Sequence, residues 1–256
     1  MKFAGIIAEY DPFHNGHAWQ LAQAKALGAE RVAVAMSCSL VQRGALPLLP
    51  EAVRTRSALT CGADLVFALP APCACAGAEA FARAGVALLA AAGCDGLVFG
   101  AETPDAALLM EAAELLDSGS YRAALKAQLA GGAAAELASD ERVAALLDKP
   151  NNNLAVEYCR AIRSLAPRME AYPLPRQGAN HGEALHSAHG QFASASALRK
   201  LWAEGGADAV APYVPEAVFP LYQEAYAAGQ YTDFSAAGRC ELALLRSACR
   251  GKPPFA

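Results

Sequence analysis

The sequence predicts an α/β fold: a Rossmann-like, doubly wound parallel sheet followed by a helical C-terminal extension. Through the first hundred residues, short and nearly continuous apolar runs alternate with helical stretches. That alternation is typical of a parallel sheet covered on both faces, and right-handed crossovers make such a sheet doubly wound. Hydrophobic residues make up 55% of the 256 residues, which is enough to fill a core of this size.

Four strands and three helices account for the first half of the chain. Strands are predicted at residues 2–9, 31–37, 64–69 and 96–100. The helices between them are predicted at residues 16–27, 51–61 and 79–92. Each helix is long enough to connect two parallel strands, so the first hundred residues read as successive βαβ units.

The second half is mainly helical in its pattern. Residues 105–147 predict helix with a break at Gly131-Gly132, residues 152–165 a helix introduced by Lys149-Pro150, and residues 170–174 a short returning strand. Residues 176–191 are rich in Gly, His and Asn and predict a loop. Residues 194–204 predict a helix, and beyond Gly205-Gly206 the pattern is helical with proline breaks.

Composition limits the class of protein. The net charge is −4 and the pI is near 5.8. These values argue against a protein whose only function is to bind nucleic acid, because contacts to phosphate need Lys and Arg. Charged side chains interrupt the most apolar stretch, residues 63–99, so no membrane span is predicted. The apolar N-terminus reads as a strand rather than a signal peptide. The eight cysteines form no CxxC pair, and a reduced, cytoplasmic protein is expected.

The segment from Asp11 to His17, DPFHNGH, carries the strongest chemical signal. It lies between the first strand and the first helix, at the carboxyl end of a parallel strand, where open sheets bind their ligands. The helix start offers N–H groups to phosphate, and Gly16 lets the backbone approach a ligand closely. His14 and His17 flank that glycine, so both imidazoles are expected to donate to charge that develops on an attacked phosphate.

A second segment, residues 193–200, supports this interpretation. Ser194 and Ser196 lie at a helix start and Arg199 follows one turn later. Hydroxyls, helix N–H groups and a guanidinium suit the β- and γ-phosphates of a nucleotide. Taken alone, the same pattern also describes an ordinary serine-capped surface helix.

The two segments together resemble the HxGH superfamily of nucleotidyltransferases and class I aminoacyl-tRNA synthetases. The chain is more closely similar to the bacterial tRNA(Met) cytidine acetate ligase family. The resemblance rests on AEYDPFHNGH at residues 8–17, QRG at 42–44, Arg54-Thr55, FGAE at 99–102, KPNN at 149–152 and ASASALRK at 193–200.

This resemblance implies an ATP-dependent enzyme that activates acetate as acetyl-adenylate, releases pyrophosphate and acetylates N4 of the wobble cytidine of elongator tRNA(Met). It implies catalytic roles for His14 and His17, with Mg²⁺ expected on the departing pyrophosphate, although no dedicated carboxylate cluster or protein metal site is predicted. The implied nucleotide-binding residues are Ile7, Ala8, Glu9, Tyr10, Asp11, Pro12, Phe13, His14, Asn15, Gly16, His17, Ala18, Trp19, Gln20, Gly100, Asn151, Arg176, Ser194, Ser196 and Arg199. Residues 1–205 would form the ATP-binding catalytic domain and residues 206–256 a short helical segment.

The chain departs from the family pattern at three places. Cys38-Ser39 stands where the family has a glycine-histidine pair, Ala45-Leu46 where it has Glu-Pro, and Glu51 where it has a lysine. These positions are expected on one face of the substrate cleft, so they bear on substrate handling more than on ATP binding. The family's long helical C-terminal region is largely absent from these 256 residues.

Other interpretations stay open on the sequence alone. An adenylyltransferase acting on a phosphorylated metabolite, of the nicotinate mononucleotide or phosphopantetheine type, would use the same two histidines. A third interpretation of the sequence is a non-catalytic relative that binds ATP. His181, His186 and His189 lie in the predicted loop, where a metal site, a lid over the nucleotide and an inert surface loop are all compatible with the sequence.

Overall fold

A computed structural model describes residues 1–42, 44–121, 141–175, 185–187, 190–238 and 240. It confirms the predicted α/β class. Five parallel strands form one sheet in the order β3-β2-β1-β4-β5. The strands are β1 (Phe3–Ala8), β2 (Arg31–Ser37), β3 (Leu65–Leu69), β4 (Gly96–Ala101) and β5 (Glu170–Pro175).

The helices predicted at residues 16–27, 51–61, 79–92 and 152–165 agree with the observed ones to within two residues at each end. The helix predicted from residue 105 begins at Ala106 but ends at Asp117, before the predicted break. In chain order, the helices include α1 (Asn15–Ala26), α2 (Glu51–Thr60), α3 (Ala71–Ala74), α4 (Ala78–Ala91), α5 (Ala106–Asp117), α6 (Glu141–Leu147), α7 (Pro150–Leu165), α8 (Ala195–Val210) and α9 (Phe219–Ala227), with a 3₁₀ turn at Ala211–Tyr213. The one-turn helix α3 was not predicted. Four residues after a proline are too few for a helical period to show.

The loop predicted over residues 176–191 is wrong in part. Strands β6 (Leu185–Ser187) and β7 (Gly190–Phe192) pair as an antiparallel hairpin. Three-residue strands give no alternation long enough to read. The predicted break at Gly131-Gly132, the predicted site residue Arg176, and His181 and His189 lie outside the described residues.

Helix α8 runs six residues beyond its predicted end, across a kink at Gly206. This residue has a φ of 69°, in the left-handed region that favours glycine. A Cβ atom at this position would lie 2.6 Å from Cζ of Tyr226 in α9. Gly206 therefore lets the chain turn while α9 packs directly against it.

Two apolar layers cover the sheet, one on each face. Ile6 and Val34 of the sheet belong to a buried cluster with Trp202 and Tyr222 from α8 and α9. On the other face, Leu97 belongs to a second buried cluster that α4, α5 and α7 complete. The residues described after Gly206 pack into the first cluster, and the predicted division after residue 205 stays a prediction.

The strand order reverses at β1, which has β2 on one side and β4 on the other. The connections to the strands on the two sides of such a point run in opposite directions, which opens a crevice at the carboxyl ends of the strands. The DPFHNGH segment begins at that crevice. In the part of the chain that the structure describes, every helix is too short or too polar to cross a membrane.

Candidate active site

A cleft of about 390 Å³ lies at the carboxyl ends of β1, β4 and β5, within the size range of small-ligand sites. Thirteen of the predicted nucleotide-binding residues line it: Ile7, Ala8, Glu9, Tyr10, Asp11, His14, Gly16, His17, Trp19, Gln20, Gly100, Asn151 and Ser194. The register explains part of this grouping, since Gly100 of β4 pairs with Leu174 of β5 at the same edge of the sheet. The sequence segments predicted to meet therefore do meet.

The two histidines form the N-terminal cap of α1. Nδ1 of His14 accepts from the Gly16 N–H at 3.0 Å, and Nδ1 of His17 accepts from the His14 N–H at 3.3 Å. This is a capping box built from imidazoles instead of a hydroxyl and a carboxylate. Because Nδ1 accepts in both neutral rings, we assign the proton to Nε2 in both. The rings stack with their centroids 3.8 Å apart and 25° between their planes.

Gly16 makes room for this arrangement. A Cβ atom there would lie 2.9 Å from Cε1 and 3.1 Å from Nδ1 of His14. The His14 ring is therefore folded over the α-carbon of Gly16, and any side chain would push it away. The sequence predicts that Gly16 lets a ligand approach the backbone closely. In the structure the imidazole of His14 lies in that space.

Asp11 anchors the segment before the histidines. Its side chain is 4% exposed, and its Oδ1 accepts from the Leu48 N–H at 2.6 Å. Arg199 of α8 donates to the Asp11 carbonyl at 2.6 Å and to Oδ2 at 3.1 Å, and also to Oγ of Ser196 at 3.2 Å. One ion pair thus joins the start of α8 to the segment between β1 and α1.

Removing the charge of Arg199 is expected to be costly because Asp11 is almost fully buried. Arg199→Met should lower the free energy of unfolding by about 2–3 kcal/mol, since it leaves a buried carboxylate without its cation. Asp11→Asn combined with Arg199→Met should reveal a coupling energy of at least about 1 kcal/mol in urea unfolding. Lys200→Met, at the adjacent exposed cation, is the control and should change stability by less than about 0.5 kcal/mol. Strictly additive Asp11 and Arg199 effects would contradict the pairing.

A buried guanidinium holds the rim of the sheet together. Arg54 of α2 is fully buried and donates to four main-chain carbonyls: those of Leu49 at 3.0 Å, Glu9 at 2.7 Å, Ser37 at 2.6 Å and Cys38. These carbonyls lie just beyond or at the ends of β1 and β2 and in the loop before α2. Burial lowers the pKa of the guanidinium, and the nearby carboxylates of Asp11 and Glu51 oppose that shift.

Glu102, directly after β4, caps the start of α7. Its carboxylate accepts from the Asn151 and Asn152 N–H groups at 3.3 and 2.8 Å, and from Nδ2 of Asn151 at 2.5 Å. Asn152 also binds the residue after Glu102, because the Thr103 N–H donates to Oδ1 of Asn152 at 3.0 Å. The matched segments FGAE and KPNN are therefore two halves of one hydrogen-bonded unit that places Asn151 in the cleft.

This cap predicts a pH dependence of stability. Burial raises the pKa of Glu102, but the hydrogen bonds from Asn151 and Asn152 outweigh burial and leave the pKa below its ordinary value of 4.5. A lowered pKa means that the stabilisation is present above pH 4.5 and is lost as the pH falls through the folded-state pKa. Glu102→Gln should therefore cost about 1 kcal/mol in urea unfolding at pH 7, and the difference from the unmodified chain should shrink in acid. A pH-independent difference would show that the charge of Glu102 has no part in the cap.

Some predicted residues lie near the cleft without lining it, namely Pro12, Phe13, Asn15, Ala18, Ser196 and Arg199. Asn15 is buried and its Nδ2 donates to the Pro212 carbonyl at 3.3 Å, while the Phe13 carbonyl accepts from the Tyr222 hydroxyl at 2.7 Å. These contacts tie the DPFHNGH segment to the C-terminal helices. Their role is to hold the segment in place.

The structure also adds lining residues that the nucleotide-site prediction does not contain. They are Gln42, Phe81, Phe99, Leu154, Tyr158, Leu174, Pro175, Ala193 and Ala195. Gln42 belongs to the quoted QRG motif, and its N–H donates to Oε1 of Glu9 at 2.7 Å. Most of the others are apolar residues on separate elements, which only the fold brings together.

A second cleft, of about 430 Å³, is lined by the segment between β2 and α2 and by residues 229–232. Cys38, Ser39, Leu46 and Glu51 line it, and these are four of the five positions where the sequence departs from the family motifs. None of the four lines the first cleft. Four of the five departures therefore line one cleft, and it is not the cleft that the predicted nucleotide-binding residues line.

Comparison with known proteins places this geometry in a family. The family model described as HIGH Nucleotidyl Transferase matches residues 1–247. The chain belongs to the HIGH nucleotidyl transferase family. The matched residues include HNGH at 14–17, on which the resemblance to the HxGH superfamily rests.

Named relatives narrow the similarity. This HIGH nucleotidyl transferase is 39% identical over 222 residues to the tRNA(Met) cytidine acetate ligase of Syntrophotalea carbinolica, covering 80% of the chain and 52% of that relative. It is 33% identical over 243 residues to the enzyme of the same name from Caldanaerobacter subterraneus, covering 90% of the chain and 60% of that relative. The chain thus spans a little over half the length of these relatives.

Solved structures agree. Thermotoga maritima TmcAL bound with alpha-thio ATP superimposes with a TM-score of 0.75 at 27% identity, covering 90% of this chain and 57% of that one. The apo form of the same protein gives a TM-score of 0.74 at 28% identity, over 90% of this chain and 58% of that one. The chain therefore shares the fold of that protein over most of its length.

Proposed function

We propose that the chain is an ATP-dependent ligase that activates acetate as acetyl-adenylate and acetylates N4 of the wobble cytidine of elongator tRNA(Met). The observation that carries the proposal is the stacked imidazole pair, whose Nδ1 atoms both cap α1 and whose rings line the cleft at the helix start. The names of the relatives support this acid and this acceptor, and they do not favour an adenylyltransferase of phosphorylated metabolites.

ATP is proposed to occupy the first cleft with its phosphates at the start of α1. The positive end of the α1 dipole and the two imidazoles would face phosphate oxygens there. Ser194 lies across the cleft at the start of α8, where its Oγ accepts from the Ala197 N–H at 3.2 Å. In this proposal Ser196 and Arg199 reach phosphate only if Arg199 exchanges its Asp11 contact for a phosphate oxygen. Arg176, outside the described residues, stays a predicted ligand.

The chemistry has two steps. A carboxylate oxygen of acetate attacks the α-phosphorus of ATP, the bond to the β-phosphate breaks, and pyrophosphate leaves. His14 and His17 donate hydrogen bonds to the negative charge that builds on the α-phosphate, a contribution that is strongest in the transition state. The N4 amine of cytidine then attacks the acetyl carbon, a C–N bond forms, AMP leaves, and the amine loses a proton.

No protein-held metal enters this proposal. Among the described residues, no group of three His, Cys, Asp or Glu side chains is arranged to hold a metal ion. Mg²⁺ is proposed only as part of the substrate, bound to the phosphates of ATP, where it neutralises the charge of the departing pyrophosphate. The same proposal gives residues 1–205 the catalytic role, and a tRNA substrate would place the protein in the cytoplasm.

The test follows the two steps separately. The protein should catalyse exchange of labelled pyrophosphate into ATP that depends on acetate, and should then acetylate an anticodon-stem RNA with ATP and acetate in the absence of acetyl-CoA. Absence of exchange with acetate and with other small carboxylates would defeat the proposal. ATP binding without exchange would identify a non-catalytic relative, and a dinucleotide product from a phosphorylated metabolite would identify the adenylyltransferase.

A further inference from the structure

The two sides of the nucleotide cleft differ in their chemistry. Helix α1, which begins with the two histidines, packs through Leu21 into the buried cluster on one face of the sheet. The residues of β1 alternate between the two faces, and Ile7 packs against the cluster on the other face. Glu9 follows Ile7 by two residues, so its side chain is expected on that second side. Imidazoles therefore line one side of the cleft and a carboxylate lines the other.

Tyr158 of α7 locates the Glu9 carboxylate on this second side. Burial raises the pKa of Tyr158, and the charge of Glu9 raises it further, so the two groups lie near each other. Within the described residues, the Glu9 carboxylate accepts only from the Gln42 N–H, at 2.7 Å from its Oε1, and the hydroxyl of Tyr158 has no hydrogen-bond partner. Tyr158 is 4% exposed and lines the cleft together with Glu9. One carboxylate oxygen and one phenolic hydroxyl are thus left for a ligand.

A cation lies behind the Glu9 carboxylate without lining the cleft. Arg54 is fully buried and donates to main-chain carbonyls, including that of Glu9 at 2.7 Å. Burial lowers the pKa of Arg54, and the charge of Glu9 is among those that oppose this shift. Arg54 therefore balances the charge of Glu9 but gives its second oxygen no hydrogen bond. Because an ionised carboxylate and a phosphate oxygen can both only accept, the group that fits against Glu9 is a donor.

The walls around Glu9 and Tyr158 are apolar. Phe81 of α4, Phe99 of β4 and Leu154 of α7 line the cleft and pack in the second buried cluster. The ring centroids of Phe99 and Tyr158 are 5.5 Å apart. Aromatic walls of this kind accept a flat, unstacked nucleobase. This side of the cleft therefore suits an uncharged, planar ligand that offers a hydrogen-bond donor next to an acceptor.

We infer that this side of the nucleotide cleft binds the acceptor cytosine, with Glu9 accepting from its N4 amino group and the Tyr158 hydroxyl donating to the adjacent N3. A carboxylate that accepts from N4 is a common pairing in nucleic-acid recognition. Uracil reverses both positions, because it has a carbonyl oxygen at C4 and a hydrogen on N3. The inference rests on the proposed function for the identity of the acceptor, and it places the acceptor in the same cleft as the adenylate.

This position gives Glu9 a part in the second step of the reaction. Pyrophosphate has left by then, so the cytosine enters beside the acetyl-adenylate. N4 attacks the carbonyl carbon of the acetyl group, a C–N bond forms, the bond from that carbon to the AMP oxygen breaks, and AMP leaves. The proton that N4 loses passes to the second oxygen of Glu9 and then to water. A positioned base of this kind contributes about 10²–10⁴-fold to the rate.

Hydroxylamine separates the two steps, because it traps acetyl-adenylate as acetohydroxamate without a base on the protein. Glu9→Gln keeps an oxygen for the Gln42 N–H but removes the proton acceptor. It should therefore lower acetyl transfer to an anticodon-stem RNA at least about a hundredfold more than it lowers hydroxamate formation. Glu30→Gln, at an exposed carboxylate outside the cleft, is the matched control and should change neither rate. Equal losses in both rates, accompanied by weaker ATP binding, would assign Glu9 to the nucleotide and overturn the inference.

Binding tests the recognition without any reaction. With AMP bound, an anticodon-stem RNA with cytidine at the wobble position should bind at least about fivefold more tightly than the same RNA with uridine there. Tyr158→Phe keeps the ring and breaks no hydrogen bond of the described residues, and it should lower this preference to less than about twofold, as should Glu9→Gln. Equal affinities for the two RNAs, or a preference that survives both variants, would overturn the inference. A cytidine preference that depends on Glu9, without hydroxamate from the unmodified chain, would support the base site while defeating the proposed ligase activity.

Discussion

Replacing His17 by alanine is expected to lower kcat for acetate-dependent pyrophosphate exchange by about a hundred- to a thousandfold, with the Kd for ATP changed by less than about fivefold. In the proposed mechanism the imidazole donates to charge that exists mainly in the transition state, so its loss should affect turnover more than ground-state binding. The measurement compares exchange kinetics with ATP binding by calorimetry. Equal losses in kcat and in ATP affinity would mean that His17 has only a structural role.

His17 also caps α1, and this second role needs its own control. Nδ1 of His17 accepts from the His14 N–H, so His17→Ala should also cost about 1 kcal/mol of stability. Glutamine at the third helical position keeps a capping acceptor in the same place. His17→Gln should therefore recover most of the lost stability in urea unfolding while kcat stays low. If His17→Gln recovered kcat as well as stability, the loss of the cap alone would explain the low kcat of His17→Ala.

Replacing Arg54 by methionine should produce the largest stability loss among the substitutions considered, about 3–5 kcal/mol in the free energy of unfolding. Methionine fills a similar volume but leaves the buried carbonyls of Glu9, Ser37, Cys38 and Leu49 without a donor, and each such group is costly to bury alone. Urea unfolding followed by circular dichroism measures the loss. Arg54→Lys should lower the free energy of unfolding less than Arg54→Met does. It should still be destabilising, because an ammonium cannot reproduce the planar fork of donors.

Arg56, two residues further along the same helix, provides the matched control. Its side chain is 60% exposed and faces Glu224 at 3.7 Å. Exposed pairs of this kind contribute about 0–1 kcal/mol, so Arg56→Met should be nearly neutral. Similar losses at positions 54 and 56 would contradict the role given to the buried guanidinium.

The sequence predicted the strands well because each apolar run is bounded by a turn or a helix start. Residues 31–37 form β2 as predicted, and even the short strand at 170–174 is present as β5. The hairpin of β6 and β7 was missed because its strands hold three residues each. Periodicity identifies an element only when the element is long enough to repeat.

The candidate site was likewise predictable from the sequence only in part. HNGH was readable because glycine, histidine and a helix start occur together within four residues. The partner of Asp11 was not readable, because Arg199 lies 188 residues away and nothing in either segment specifies the other. Phe81 and Tyr158 line the cleft from separate helices, and as apolar or aromatic residues they look like any other core positions. The second cleft depends in the same way on the packing of residues 229–232 against the loop after β2.

The imidazole cap at the start of α1 has a consequence for the order in which conformational entropy is lost. Rotational freedom of the His14 and His17 side chains disappears when the helix forms, since each Nδ1 already accepts from the backbone. Ligand arrival then restricts these two rings little further, so more of the intrinsic contact energy remains as affinity. Folding of the first helix and orientation of the two imidazoles are thus a single event.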